Sequence, residues 1–221
     1  MSLTLVIGNK RYSSWSLRPW LAMRQFGIPF EEIRIPLDEP GTKAAILAHS
    51  PSGRVPCLID GDVSVWETLA IVEYLAERFP EPAIWPRDVA ARAMARAISS
   101  EMHAGFQALR NACPMNLRRD FPWRDWGGPA AAADVARIED LIGEARSRFG
   151  GGGPFLFGDF SAADAMYAPV ALRLTGYSWP VGATTAAWCA AIRALPAFRD
   201  WKAAADRETE IVPSDEVDFA D

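Results

Sequence analysis

The sequence predicts two units of different class: a mixed α/β unit of order β-α-β-α-β-β-α, followed by an all-α helical bundle. Three observations carry this reading. Short apolar runs alternate with helical periodicity as far as Phe79; a proline-rich connection, Pro80-Glu81-Pro82 to Pro86, follows; beyond it strand signals give way to long alanine-rich helical patterns. The division falls at residues 1–80 and 88–221, with 81–87 as the linker. A chain of 221 residues that is half apolar can bury a core without disulfides or metal.

Leu3 to Ile7 is an apolar run that reads as the first strand, and the polar tract Gly8 to Ser14 leads from it into a helix. Leu17, Trp20, Leu21 and Met23 fall at helical spacing and the pattern stops at Gly27, while Ser16 is a good N-cap. Phe30, Ile33 and Ile35 mark a second strand, giving a β-α-β unit that is right-handed if its strands are parallel. Asp38-Glu39-Pro40-Gly41 turns the chain into a short helix over Thr42 to Ala48. Two strands then flank an Asp60-Gly61 hairpin turn, the first opening on Pro56 and so lacking one ladder donor. The dense set Leu69, Ala70, Ile71, Tyr74, Leu75 and Phe79 predicts a helix buried on more than one face.

In the second unit, Arg87 to Asn111 reads as one long helix and Ala132 to Phe149 as another, closed by the glycines from Gly150 to Gly153. Ser161 and Asp164 form a capping-box pattern for a helix ending near Thr175. Two shorter helices follow, Thr184 to Ala194 and Pro196 to Arg207, and Ser214 to Asp221 reads as a loosely held acidic tail.

Composition removes several function classes. Lys and Arg total 23 against 28 Asp and Glu, and the net charge of -5 argues against nucleic acid or an anionic membrane as partner. Cys57, Cys113 and Cys189 lie far apart in no metal-ligand or redox spacing, which fits a reduced, cytoplasmic setting. The start has no signal-peptide pattern, and no apolar run reaches the roughly 18 residues of a membrane span, so a soluble protein is expected. His49 and His103 stand alone, so no metal site is expected.

Loops at strand-to-helix transitions lie on one rim of such a sheet, which brings three features together. Ser13 and Ser14 precede a helix, where free amides and the helix dipole favour an anion; they either cap and turn the chain or donate to a bound thiolate. Val55 precedes Pro56, and a cis bond there turns the Val55 amide and carbonyl from the sheet toward an extended peptide. Arg54 beside it is either a solvated cation or a carboxylate ligand. Glu67 and Thr68 open the third helix, as ordinary first-turn residues or as partners of an ammonium and a carboxylate. One ligand accounts for all three: a small peptide with a free amino-acid end, an extended middle and a thiol.

The order Ser13-Ser14-Trp15-Ser16-Leu17-Arg18, Gly53-Arg54-Val55-Pro56 and Trp66-Glu67-Thr68-Leu69-Ala70-Ile71, with Leu156 to Asp164 downstream, resembles the cytosolic glutathione transferases of the bacterial, serine-type, zeta/theta-like kind. That resemblance covers nearly the whole chain. It implies a thioredoxin-like N-terminal domain, an all-α C-terminal domain and a homodimer. The activity implied is glutathione S-transferase, with glutathione as substrate or cosubstrate attacking a small electrophile. By the same resemblance Ser13 contacts the glutathione sulfur with Ser14 as the nearby alternative, Val55 pairs with the cysteinyl backbone, Glu67 and Thr68 hold the γ-glutamyl end, and Arg54 reaches the glycyl carboxylate. Trp15 stands where the zeta-class tract has a cysteine; it narrows the site beside the sulfur and weighs against the alternative of a maleylacetoacetate isomerase-like enzyme. A non-catalytic transferase-like binding protein is the third reading.

An unperturbed thiol is about 3% ionised at pH 7, and lowering its pKa by about two units takes roughly 2.7 kcal/mol. A hydrogen bond to a charge supplies about 1.5–3 kcal/mol and a helix start about 0.3–1 more, so a serine at the mouth of the first helix suffices. The electrophile is expected between the units, near Glu101, His103, Phe106 and Arg110, with Trp123 and Trp126 covering it from a loop.

Overall fold

The computed structural model describes residues 2–217. Strand β1 (Leu3–Ile7) leads through a loop to α1 (Ser14–Gln25), then β2 (Phe30–Arg34), α2 (Thr42–Leu47), the β3 (Cys57–Asp60) and β4 (Val63–Trp66) hairpin, and α3 (Thr68–Arg78). The sheet order is β2-β1-β3-β4. β1 pairs parallel with β2, Leu3 opposite Phe30, and antiparallel with β3, Leu5 opposite Leu58. As the apolar run requires, β1 is interior and nearly all buried. Gly61 takes φ 59 in the two-residue turn between β3 and β4, the left-handed conformation that the turn demands of it. The mixed sheet with its helices is the thioredoxin-like unit.

The helical unit holds α4 (Val89–Ala104), α5 (Gln107–Ala112), α6 (Gly128–Phe149), α7 (Ala162–Gly176), α8 (Ala183–Ala194) and α9 (Pro196–Asp206). The single long helix expected over Arg87 to Asn111 is instead two, α4 and α5. Gly105 leaves the helix in extended conformation and Phe106 turns at φ 57 with its ring buried, so burying that ring redirects the chain. The start of α6 lies four residues ahead of the expected Ala132, because Gly127 at φ 71 packs where a Cβ would stand 2.6 Å from the Ala112 Cβ.

Helix α7 is buried on nearly every side and packs on α1, α4 and α8. One hydrophobic core therefore runs from α1 and α3 through α7 to α8 and α9. A capping box starts α7, with the Ser161 amide and hydroxyl both donating to Asp164 Oδ2 at 2.9 and 3.0 Å. Asp164 also accepts the Leu156 amide and the Trp188 indole N–H, each at 3.0 Å. These bonds favour the carboxylate, while complete burial pushes its pKa up. Helix α3 buries a single stripe, Ile71, Val72 and Leu75, rather than several faces; Leu69 and Tyr74 are only half-buried and Ala70 is exposed.

After α9 the chain runs back as a strap over residues 207–217. Glu208 accepts the Lys10 and Arg11 amides at 2.7 and 3.0 Å, Tyr12 donates to Glu216 at 2.6 Å, and Asn116 donates to the Asp215 carbonyl at 3.2 Å. The part of the expected loose tail within 214–217 is thus tied down against the β1–α1 loop, and 218–221 lie outside the described residues. No described helix is long and apolar enough to cross a membrane.

Candidate functional site

The start of α1 organises the site. The Asn9 carbonyl accepts the Tyr12 and Ser13 amides, which turns the loop so that the helix begins at Ser14 with Ser13, not Ser16, as its N-cap. Ser13 Oγ accepts the Ser16 amide at 3.4 Å and meets Ser16 Oγ at 2.8 Å. Ser16, fully buried within the first turn, accepts the Gly8 amide at 3.0 Å. Pro19 has no amide to return to the Trp15 carbonyl four residues back, and the Thr68 hydroxyl donates to that carbonyl instead, at 3.0 Å. This bond fixes the first turn of α3 against the first turn of α1. Glu67, the residue before it, takes φ 68.

Two adjoining cavities open on this junction. Trp15, Arg54, Val55, Glu67 and Thr68 line the first, of about 320 Å³, together with His103, Gln107 and Arg110. Ser13 and Ser14 line the second, of about 300 Å³, which also takes in Arg173 and Asp215. Trp15, Val55 and Arg110 belong to both and form the wall between them. All seven residues singled out in the sequence are therefore gathered at one place. The Val55–Pro56 bond is cis. A larger cavity, of about 530 Å³, lies elsewhere, between the 81–88 connection and the start of α7, and none of the seven lines it.

Three arginines converge here. Arg18, fully buried, donates to the Met166 carbonyl at 2.8 Å and the Ser14 carbonyl at 2.9 Å, and its guanidinium carbon stands 4.2 Å from the Trp15 ring centroid. Its Nη2 has no partner among the described residues. Arg173 donates to the Cys113 and Pro169 carbonyls and, at 3.4 Å, to Ser14 Oγ. Arg110 donates to the Gly105 carbonyl at 3.3 Å and lies 4.7 Å from the Trp15 centroid on its guanidinium carbon. Burial, followed by repulsion from Arg173 and Arg110, pulls the Arg18 pKa well down; burial and Arg110 bring Arg173 to about 10. Three cations that give their hydrogen bonds to carbonyls and one hydroxyl leave a region of positive potential that Asp215, in the second cavity, offsets only in part.

His103 reaches the first cavity from α4, with its Nε2 3.6 Å from Glu67 Oε2, its ring edge-on to Trp15 at 5.2 Å and its buried Nδ1 without a hydrogen-bond partner among the described residues. Of the four residues expected on the cleft-facing side, His103 and Arg110 line it. Phe106 is buried in the core, and Glu101 pairs with Arg137 at 2.7 Å. Neither tryptophan of the expected cover lines either cavity: Trp123 packs on Trp179, and Trp126 is buried against Phe121 and Tyr177. All three cysteines are buried and unpaired, and burial pushes Cys113 and Cys189 up to about 11 and about 12. Among the described residues there is no group of three or more His, Cys, Asp or Glu placed to hold a metal ion.

Sequence reasoning missed Arg18, Ser16 as a hydrogen-bond partner of Ser13, Arg173 and Asp215. A signal existed for Arg173, the single charged residue in Ala165–Gly176, an otherwise apolar helical stretch.

The family profile described as glutathione S-transferase, N-terminal domain, matches residues 12–78, and that of glutathione S-transferase, C-terminal domain, matches 128–204. The chain is 33% identical over 147 residues to the maleylacetoacetate isomerase of Pseudomonas aeruginosa, covering 62% of this chain and 68% of that protein. It is 30% identical over 161 residues to the Rattus norvegicus maleylacetoacetate isomerase, covering 71% and 70%. Among solved structures, a Burkholderia glutathione transferase homolog with bound glutathione superposes with TM-score 0.72 at 22% identity, covering 93% of this chain and 98% of that one. A bacterial zeta-class maleyl pyruvate isomerase superposes with TM-score 0.71 at 24% identity, covering 94% and 100%.

Proposed function

Because the chain belongs to the glutathione S-transferase family, we propose that the two cavities form one glutathione-dependent catalytic site, the first holding the tripeptide and the second its electrophile. The observation that carries the reading is the shared wall: Glu67 and Thr68 stand at one end, Ser13 and Ser14 at the other, and Val55 with Trp15 between them. The donor set fits a zwitterionic peptide. Glu67 is the carboxylate for its ammonium, the first-turn amides of α3 receive the neighbouring carboxylate, and Arg54 is the cation for the far carboxylate. The Thr68 hydroxyl is committed to Trp15, so Thr68 contributes its amide and holds the two helices in register. In this reading residues 1–80 bind glutathione and 88–221 complete the electrophile side, with 81–87 between them.

Bound glutathione supplies a nucleophilic thiolate. Ser13 stabilises that charge by hydrogen bond and does not itself attack. In the free protein the Ser13 hydroxyl donates to Ser16 Oγ, which also accepts the Gly8 amide; hydroxyl hydrogens rotate to suit, so a thiolate in the cavity takes the Ser13 hydrogen over from Ser16. Ser14, whose oxygen already accepts from Arg173, is the alternative donor.

For the electrophile, the arginines favour an anion. They support glutathione-dependent isomerisation of an unsaturated acid, the relatives being named as isomerases, beside plain thiol addition. The two differ in one readout: isomerisation regenerates glutathione, whereas transfer consumes it. Calorimetry with glutathione, then turnover of maleylacetoacetate and of an aryl halide with glutathione consumption followed, separates them. An absence of heat with glutathione would remove both and leave the non-catalytic reading. Every residue given a role in this reading lies on one chain, and the dimer typical of the family is part of the proposal.

A further inference from the structure

The second cavity contains one negative charge that the family reading leaves without a role. Asp215 lines it from the 3-10 turn Pro213–Asp215 of the C-terminal strap, facing Arg173 and Arg110. Its backbone is pinned by Asn116 through the Asp215 carbonyl, and the next residue, Glu216, is held by Tyr12 and lies 3.6 and 3.7 Å from Arg118 and Arg119. The carboxylate itself accepts no hydrogen bond among the described residues, so it is positioned by its backbone yet available to the cavity.

We infer that Asp215 is a specificity-determining residue: its carboxylate offsets one of the two arginines lining the cavity, which therefore accepts one carboxylate of an electrophile and disfavours a second. This rests on reading that cavity as the electrophile site. The charges that act on Asp215 are Arg173 on α7, Glu216 in the strap itself and Asp38 after β2; Arg110 on α5 and the hydroxyl-bearing Tyr12 of the β1–α1 loop line the same cavity, and Tyr177, just after α7, is a further titratable neighbour, both tyrosines neutral at about pH 7.5. Burial raises the Asp215 pKa to about 6 against the pull of Arg173, so the group is ionised at neutral pH and can exert the effect claimed for it.

The probes are maleate and maleamate, the same skeleton with two carboxylates or with one carboxylate and an amide. Binding of each to the full chain with saturating glutathione is measured by calorimetry at about pH 7.5, where the wild-type Asp215 is charged. In Asp215→Asn the maleate-to-maleamate affinity ratio should rise about five- to tenfold, the effect of removing a like charge a few ångströms away in a partly solvated cavity. Affinity for glutathione alone should stay unchanged. Asp215→Ala should match Asp215→Asn, and Asp215→Glu should restore the wild-type ratio. A ratio unchanged in Asn and Ala variants that still bind glutathione overturns the role of Asp215 alone. If wild type binds glutathione but neither probe, the electrophile reading of the cavity fails and takes the inference with it.

Discussion

Replacing Ser13 by alanine tests the central chemistry most directly. The variant removes the hydroxyl that donates to Ser16 Oγ and, as the N-cap of α1, accepts the Ser16 amide, a cap whose loss costs about 1 kcal/mol of stability. A hydrogen bond to a charged group contributes about 1.5–3 kcal/mol, and one pKa unit corresponds to about 1.36 kcal/mol, so the thiol of bound glutathione should titrate about one to two units higher in Ser13→Ala. The helix dipole, at about 0.3–1 kcal/mol, survives and keeps the bound thiol more acidic than the free one. Ser16→Ala, which leaves the Ser13 hydroxyl and the buried Gly8 amide without their shared acceptor, should leave the thiol midpoint close to that of the wild type while costing some stability. The assay is ultraviolet thiolate absorbance of the complex against pH. An unchanged midpoint in Ser13→Ala with a shifted one in Ser14→Ala would refute the assignment and hand the role to the serine that Arg173 touches.

Three other outcomes follow from the packing. Thr68→Val strips the Trp15 carbonyl of the donor that stands in for the missing Pro19 amide; it should cost about 1–3 kcal/mol in urea unfolding and weaken glutathione binding, which calorimetry reads. Asp164→Ala leaves two buried amides and an indole N–H without an acceptor at the start of the central helix, and should cost about 3–5 kcal/mol in the same assay. Cys57, Cys113 and Cys189 should stay unreactive toward an aromatic disulfide reagent in the native protein and all react once it is unfolded, since burial both blocks them and raises their pKa values.

Much of the fold was legible because its cues are local. The apolar run of β1, the Asp60-Gly61 turn, the Ser161 and Asp164 pair and the glycines after Phe149 each specify an element within a few residues. The break between α4 and α5 was not, because it is decided by where the Phe106 ring finds a buried place rather than by a strong helix breaker. The N-cap of α1 was misplaced for a related reason. Ser13, Ser14 and Ser16 are all acceptable caps, and the choice among them is made by Asn9, whose carbonyl holds the loop. The α3 pattern predicts the helix but overstates its burial: Leu69, Tyr74 and Phe79 pack on the edge of the core and stay half-buried, and Ala70 is exposed.

The site divides along the same line. Its glutathione half rests on residues that sit at the ends of strands and helices, where backbone grammar already makes serine, proline and an acidic residue conspicuous. Its electrophile half is assembled by Ser14 and Trp15 of α1 and charges from α5, α7 and the strap, and Ser14, Arg173 and Asp215 are more than 40 residues apart in sequence while sharing one cavity. No periodicity or motif relates them. What joins them is electrostatic: buried guanidiniums that donate only to carbonyls and a hydroxyl need an anion, and the strap delivers one carboxylate where the cavity geometry leaves room for another. Changes to the strap should therefore alter which electrophile is taken while leaving glutathione binding intact, and changes at Glu67 or Arg54 should do the reverse. A strap variant that lost glutathione affinity in proportion to its effect on the electrophile would show that the two halves are not separable.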